Sequence, residues 1–376
     1  LTIKGIKKIK ILVFSFLVLV LITVLTFTGC GKIAAPERET SEDEQIESGE
    51  EEAVEEDEEE GESQTAGEEI TGNINIFSGL EISDTVKDDR PVALMVENTT
   101  DARPQSGLIY ADIVFEVVDE YGITRFVTVF SSYEAKTVGP VRSARIYYAE
   151  IARSIDPLYA FWGTYPECYD VIKNLDIDVL DGNSEVIAYA NSGWRDYTRS
   201  DITEHTAFMS TIALKEDAAD YDYSLKGGQS PLRFKTDADD SDRGDITDIT
   251  INFSSETFKS YFEYDKEKNN YLKYVGGQPH TDYETGDQIE VNNVIVMITD
   301  IEGPIDQYGH MVVRTTGNID NSKAFFFMDG KVIEGTWERS SAFDPFTYKD
   351  DNGDIILFNR GSTWIALVQD TDMLTY

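Results

Sequence analysis

Eight arginines fall between residues 90 and 199: Arg90, Arg103, Arg125, Arg142, Arg145, Arg153, Arg195 and Arg199. That stretch has two lysines, Lys136 and Lys173, whereas from residue 200 onward ten lysines outnumber five arginines. A guanidinium presents a planar fork of donors that grips carboxylate or phosphate bidentately, which an ammonium does not. The enrichment therefore points either to anion recognition or to internal ion pairing. Arg142 and Arg145 follow Gly139-Pro140. If a helix opens at Ser143, the two lie near its N-terminus on one face, and the dipole and both guanidinium groups attract the same anion. Asp112, Glu116, Asp119 and Glu120 are close by in the chain and would brace these arginines instead. Asp112 and Glu116 sit at i and i+4 of an apolar run, so both carboxylates fall on one face of a strand. There they must pair with arginine, hold a metal or serve as a base, because an unpaired buried carboxylate is costly. The segment from Trp194 to Glu204-His205-Thr206 is polar with aromatic anchors, placed to close over a pocket or to form a surface loop. The ligand-binding set read from the sequence is Arg103, Arg125, Arg142, Arg145, Asp112, Glu116 and His205.

No common catalytic signature accompanies this set. The chain has no P-loop, GxGxxG, His-Glu-x-x-His or GxSxG motif. Its three histidines, His205, His280 and His310, are far apart in sequence. A three-histidine zinc site is therefore not expected, no cofactor is implied, and the reading leans away from an enzyme. Of the two cysteines, Cys30 belongs to the N-terminal region and Cys168 is left without a partner. Cys168 reads as a small buried apolar residue.

The elements that must position these residues begin at Arg90. Pro91–Val96, Asp112–Val118 and Thr124–Phe130 are short apolar runs with the look of buried strands. Ser143–Ser154 has apolar residues at helical spacing, with Ser143 as the expected N-cap. Leu158–Trp162 reads as strand, Pro166–Leu175 as a short helix and Ala207–Leu214 as a helix or its end. Strands alternating with helices indicate an α/β layer structure. Residues 215–245 are polar. Beyond them strand signals dominate, separated by the turn pairs Gly276-Gly277, Asp329-Gly330, Asn352-Gly353 and Arg360-Gly361, of which Asp329-Gly330 and Asn352-Gly353 are hairpin signals. Trp337 and Trp364 fall in strand contexts and read as core. The expected fold is an α/β N-terminal domain, a mixed sheet with packed helices, followed by a β-rich, mainly antiparallel C-terminal domain.

The first 73 residues read differently. Lys4, Lys7, Lys8 and Lys10 precede an apolar run from Ile11 to Phe27, then Thr28-Gly29-Cys30. Basic, apolar and small-residue segments in that order form an export signal. Residues 37–69 hold eighteen acids against one arginine, with nothing to bury, and read as an extended solvated tether. The formal charge is −39 overall, and residues 70–376 still carry −27. So acidic a surface repels nucleic acid, which is not an expected partner. The organisation read from the sequence is a signal at 1–29, a tether at 30–73, an α/β domain at 74–218, a linker or surface excursion at 219–245, and a β-rich domain at 246–376.

Several blocks together carry a resemblance. They are Arg90-Pro91-Val92-Ala93 with Glu97-Asn98, Ala102–Leu108 (ARPQSGL), Ala111–Val114, Gly122–Phe126 and Gly139-Pro140-Val141-Arg142-Ser143-Ala144-Arg145. With Gly335-Thr336-Trp337 and Asn359–Val368, they resemble the YerB-like bacterial lipoproteins over about residues 88 to 370. Phe27-Thr28-Gly29-Cys30 resembles the lipobox. The resemblance implies a diacylglycerol on Cys30 and a protein tethered by lipid to the cell membrane on its extracytoplasmic face. It brings no assigned biochemical function. Expected partners are the membrane, through that lipid, and an anionic envelope ligand or a protein held by the arginine-rich domain. Two alternatives stand beside this: an envelope enzyme acting on phosphorylated or glycan substrates, with an arginine clamp and Asp112 or Glu116 as base or metal ligand; and a protein–protein scaffold.

Overall fold

The structure, a computed structural model, describes residues 67–317 and 322–376. The export signal, Cys30 and most of the tether lie outside the described residues. The described residues all belong to one compact unit.

The continuous apolar runs become strands buried on both faces, as runs without polar alternation must be. They are β1 (Val92–Glu97), β2 (Ile113–Val118), β3 (Thr124–Phe130), β4 (Leu158–Phe161) and β5 (Val179–Asp181). Further along come a small hairpin, β6 (Trp194–Arg195) with β7 (Ala207–Phe208), and then β8 (Asp248–Asn252), β9 (Lys259–Asp265), β10 (Asn270–Val275), β11 (Gln278–Pro279) and β12 (Glu290–Val291). The last group is β13 (Asn293–Ile298), β14 (Ile301–Glu302), β15 (Val312–Val313), β16 (Lys323–Met328), β17 (Lys331–Glu338), β18 (Thr347–Asp350), β19 (Thr363–Val368) and β20 (Leu374–Thr375). Three α-helices are described: α1 (Ile146–Arg153), α2 (Pro166–Asn174) and α3 (Thr211–Asp220). None is long and apolar enough to cross a membrane.

Ten strands form one sheet in the order β18-β17-β16-β13-β19-β2-β3-β1-β4-β5. Strands from both halves of the chain share it, and the seam is the parallel pair β19–β2, with Ile365 opposite Phe115. The strands β13, β19, β2, β1, β4 and β5 all run the same way. Their carboxyl ends therefore line up along one edge.

Alternate residues feed two cores. Met95, Phe115, Val127 and Leu367 face α1, α2 and the Trp337–Phe346–Tyr348 cluster. Leu94, Val114, Phe126 and Trp364 face α3 and a second sheet, ordered β11-β10-β9-β8-β20 with β12 also on β10. Trp337 and Trp364 are both fully buried. Buried Cys168 joins the first core, and burial pushes its thiol up to about 11. At Asp329-Gly330 both residues have positive φ, as a two-residue hairpin turn requires, and Met328 pairs with Lys331 across it.

One local expectation is corrected. The helix expected from Ser143 starts at Ile146, and Arg145 occupies the N-cap in extended conformation. The reason is that residues 139–142 continue the sheet: Glu97 N donates to Pro140 O at 2.9 Å, and Arg142 N donates to Met95 O at 3.0 Å. Arg142 and Arg145 are therefore not on a helix face. Arg360-Gly361 leads into β19, which pairs in parallel on both sides. Residues from the stretches read as tether and as linker or surface excursion bond to one another and to the body. Ile70 N donates to Phe234 O, and Lys235 N donates to Phe358 O.

Candidate functional site at the carboxyl edge of the sheet

The carboxyl edge gathers most of the polar side chains singled out in the sequence, but it divides them between its two faces. Residue parity decides which side chain goes where. Glu97 and Arg125 stand opposite each other in the β1–β3 register and share one face. Glu116 is one residue out of phase with Val117, Arg125's partner across β2–β3, and so points to the other face.

On the first face, Arg125 is 4% exposed. Its guanidinium lies 2.5 Å from Asp119 and 3.2 Å from Glu120. Burial disfavours its charge, but Asp119, Glu97 and Glu120 outweigh burial and hold its pKa above the ordinary value. Arg145 pairs with Glu120 and approaches Asp119 at 3.6 Å. Burial and the neighbouring Asp119 carboxylate raise Glu120, while Arg125 leads the forces that keep Asp119 low against its own burial. Arg142 pairs with buried Glu97 and retains 22% side-chain exposure. His205 approaches the same Glu97 oxygen at 3.9 Å, and among the described residues its Nδ1 has no hydrogen-bond partner. Burial lowers the pKa of Arg142, partly opposed by Glu97. Four of the seven expected residues, Arg125, Arg142, Arg145 and His205, are thus brought together here.

On the second face Glu116 is fully buried. It accepts from Thr124 Oγ1 at 2.9 Å, Ser260 Oγ at 2.7 Å and Trp364 Nε1 at 2.9 Å. The buried Lys273 ammonium lies 3.8 Å away and itself donates to Ser260 at 2.7 Å. Arg103 belongs to this side too. It donates to Asn98 Oδ1 at 3.0 Å and to the Thr257 carbonyl at 2.9 Å, and it covers the Phe258 ring. The seventh residue, Asp112, is elsewhere. It precedes β2, and its carboxylate accepts from the Ser131 and Ser132 amides at 2.6 and 2.8 Å. Burial raises its pKa against those donors. The expectation that Asp112 and Glu116 share a site is corrected, because one closes a turn at the amino end of β2 and the other lies in the sheet interior. Among the described residues, no group of three acidic, histidine or cysteine side chains is arranged to hold a metal.

Sequence reasoning left Arg195 out of the site. Arg195 packs its guanidinium 4.7 Å from the Trp162 ring and donates to Thr206 Oγ1 at 3.1 Å. Among the described residues it has no carboxylate in ion-pair range. Its neighbour Arg199 stacks on Tyr283 and donates to Ser106 Oγ at 2.9 Å. The available signal was the Trp194-Arg195 pair within the aromatic segment that ends at His205. The hairpin β6–β7 brings that segment over Arg142, whose Nη1 reaches the Glu204 carbonyl at 3.5 Å.

Comparison with known proteins gives a consistent result. Residues 77–224 match the model described as "Protein of unknown function (DUF3048) N-terminal domain", and residues 249–365 match its C-terminal domain. The chain is 30% identical over 305 residues to the Bacillus subtilis (strain 168) protein named "Putative lipoprotein YerB", covering 79% of this chain and 86% of that one. It is also similar to the crystal structure of YerB from Bacillus subtilis, with a TM-score of 0.69 and 29% identity over 80% of this chain and 98% of that chain. The β19–β2 seam joins the two matched regions in one sheet. The chain belongs to the DUF3048 family of YerB-like lipoproteins, a two-domain family without an assigned function.

Proposed function

We propose that the protein is tethered by a lipid on Cys30 to the extracytoplasmic face of the cell membrane, and that it binds an anionic envelope ligand at the carboxyl edge of its N-terminal half. The observation that carries the reading is Arg195. It is a partly exposed guanidinium held in place by an aromatic ring and neutral oxygens rather than by an acid. Exposed Trp194 and Tyr197 flank it, and Arg142 and His205 stand behind it. Desolvated guanidinium beside aromatic faces suits phosphate or carboxylate carried on a larger body. Arg125 and Arg145 are consumed by Asp119 and Glu120 and act as bracing. Glu116 has both oxygens engaged inside the core and Asp112 is bonded into a turn, so the reading rests on binding rather than turnover.

The test is the unfolding temperature of the 67–376 body with pyrophosphate and with a glycerol-phosphate oligomer. Occupied sites stabilise by mass action. The expected result is a rise that disappears in Arg195→Gln, a substitution that breaks no ion pair. An equal rise in Arg195→Gln, or none in the parent, refutes the reading.

A further inference from the structure

A second site lies farther along the same edge, on the seam between the two matched regions. A cavity of about 250 Å³ opens at the carboxyl ends of β2 and β19. Val118, Leu367 and Val368 form its floor, Phe253 a wall, and Met311 and Met373 its sides. Crevices at the carboxyl ends of parallel strands, and at junctions between chain segments, are where sheets of this kind take ligands. The methionines give an apolar wall that can repack around different shapes.

The described residues leave the cavity mouth open. A strap from Gly303 to Met311 crosses beside it and is held by packing on Tyr121. A Cβ on Gly309 would come within 3.1 Å of the Tyr121 ring, so glycine is what allows that approach. The strap is also fastened by His310, which bonds Asp306 at 2.6 Å, stacks on Tyr165 and faces Glu120 at 3.6 Å. Tyr121, which lines the cavity, and Ile305, Tyr308 and Val312, on or next to the strap that carries the lining residues Pro304 and Met311, stand 77%, 58%, 63% and 47% exposed. Apolar groups gathered at the rim of an apolar cavity mark an interaction surface rather than scattered surface residues. They also extend past the cavity, so an occupant that covers them is larger than the cavity itself. Exposed acids are frequent among the residues near the lining in the chain: Asp300, Glu302, Asp370 and Asp372 adjoin it, and Asp306 lies two residues beyond Pro304.

We infer that this seam cavity receives a large apolar side chain carried on a basic polypeptide segment of a partner protein. The apolar walls take the side chain, the exposed rim takes its flanks, and the surrounding acids select lysine or arginine beside it. Charge complementarity of this kind sets partner choice and association rate. This inference is independent of the anionic site at Arg195 and asks for the opposite charge.

The experiment is calorimetric titration of the 67–376 body, the compact unit, at low salt. The probes are a blocked peptide Lys-Lys-Gly-Phe-Gly-Lys-Lys, its counterparts with central serine or with glutamates for lysines, and octyltrimethylammonium. The lysine–phenylalanine peptide is expected to bind saturably. Serine at the centre should weaken it by roughly tenfold, as loss of a buried aromatic does. The glutamate peptide should not bind. Ser254→Phe, which fills the mouth from an exposed position, should weaken the parent peptide by about the same roughly tenfold factor. Asp370→Lys with Asp372→Lys should weaken the parent peptide and reduce the salt dependence. No saturable binding overturns the proposal, as does binding indifferent to Ser254→Phe or to flanking charge. Octyltrimethylammonium binding as tightly as the peptide also overturns it, by making this a small-molecule site.

Discussion

Replacing Glu116 with glutamine puts an amide nitrogen among donors that need an acceptor and leaves Lys273 as a cation without its counter-charge. Both side chains are fully buried, and Lys273 packs between the Phe262 and Trp364 rings at 4.8 and 4.7 Å. Breaking a buried pair from one side costs about 3–5 kcal/mol, and that is the expected loss for Glu116→Gln near neutral pH. Lys273→Met removes the cation but leaves Glu116 with its Thr124, Ser260 and Trp364 donors, and the methionine packs on the same rings. Its cost should be smaller, about 1–3 kcal/mol. The double variant should lose less than the sum, with a coupling of about 1–3 kcal/mol. The pH dependence carries its own sign. Burial brings the Lys273 pKa down from 10.5 to about 8, against the pull of Glu116. Between pH 8 and 10.5 the unfolded chain therefore holds a proton that the folded chain has given up. Stability contributed at this residue must rise with pH across that window, by on the order of 3 kcal/mol at most. Measured as wild type minus Lys273→Met, this rise is separated from tyrosine titration. The penalty for Glu116→Gln should shrink below that window, as pH rises toward 8, because without Glu116 the buried Lys273 gives up its proton at lower pH than in the wild type. Urea unfolding of the four proteins at pH 7 and 9.5 decides it. Additive losses within about 0.5 kcal/mol, with no pH-dependent difference, would show that the two charges do not interact.

Further outcomes can be checked on the same protein. His280 is buried, with Lys273 and Arg103 nearby, and its pKa lies well below 6.5. The unfolded chain alone takes up that proton as pH falls below about 6.5, so wild type should lose stability from pH 7 to 5 more steeply than His280→Gln; parallel curves would refute this. Gly335 sits mid-strand in β17, where a Cβ would meet the Lys349 carbonyl at 2.0 Å. Gly335→Ala should cost about 1–3 kcal/mol in urea unfolding, and an unchanged midpoint would show that β17 and β18 separate freely. Cys168 is buried with its thiol pushed up to about 11. It should resist a thiol-specific disulfide reagent at pH 8 until urea unfolds the chain, whereas fast native labelling would place it at a surface.

The strands were legible where apolar runs were long and bounded by turn residues. β2 and β3 lie within the segments read as strand, and β1 runs one residue past its own. The start of α1 was not legible, because Val141 and Arg142 are held extended by long-range hydrogen bonds to β1 and β7 rather than by local preference. The arginine set was visible as composition, but the roles within it were not. Arg125 and Arg145 became bracing because Asp119 and Glu120 turn back onto the same face. Arg195, two residues past a loop glycine, acquired its place only through the β6–β7 hairpin.

By itself the sequence determined what depends on neighbours along the chain. That covers a basic then apolar opening segment of the kind read as an export leader, an acidic stretch with nothing to bury, strands that must be covered on both faces, and a hairpin at Asp329-Gly330. The tertiary structure alone decided that β19 inserts between β13 and β2, and hence that the two halves share a sheet. It decided also that Trp364 Nε1 meets a carboxylate 248 residues away in the chain. Parallel pairing across so long a connection has no local turn signal. Which acid neutralises which base is set by proximity in a medium of low dielectric, and no periodicity in the sequence records it.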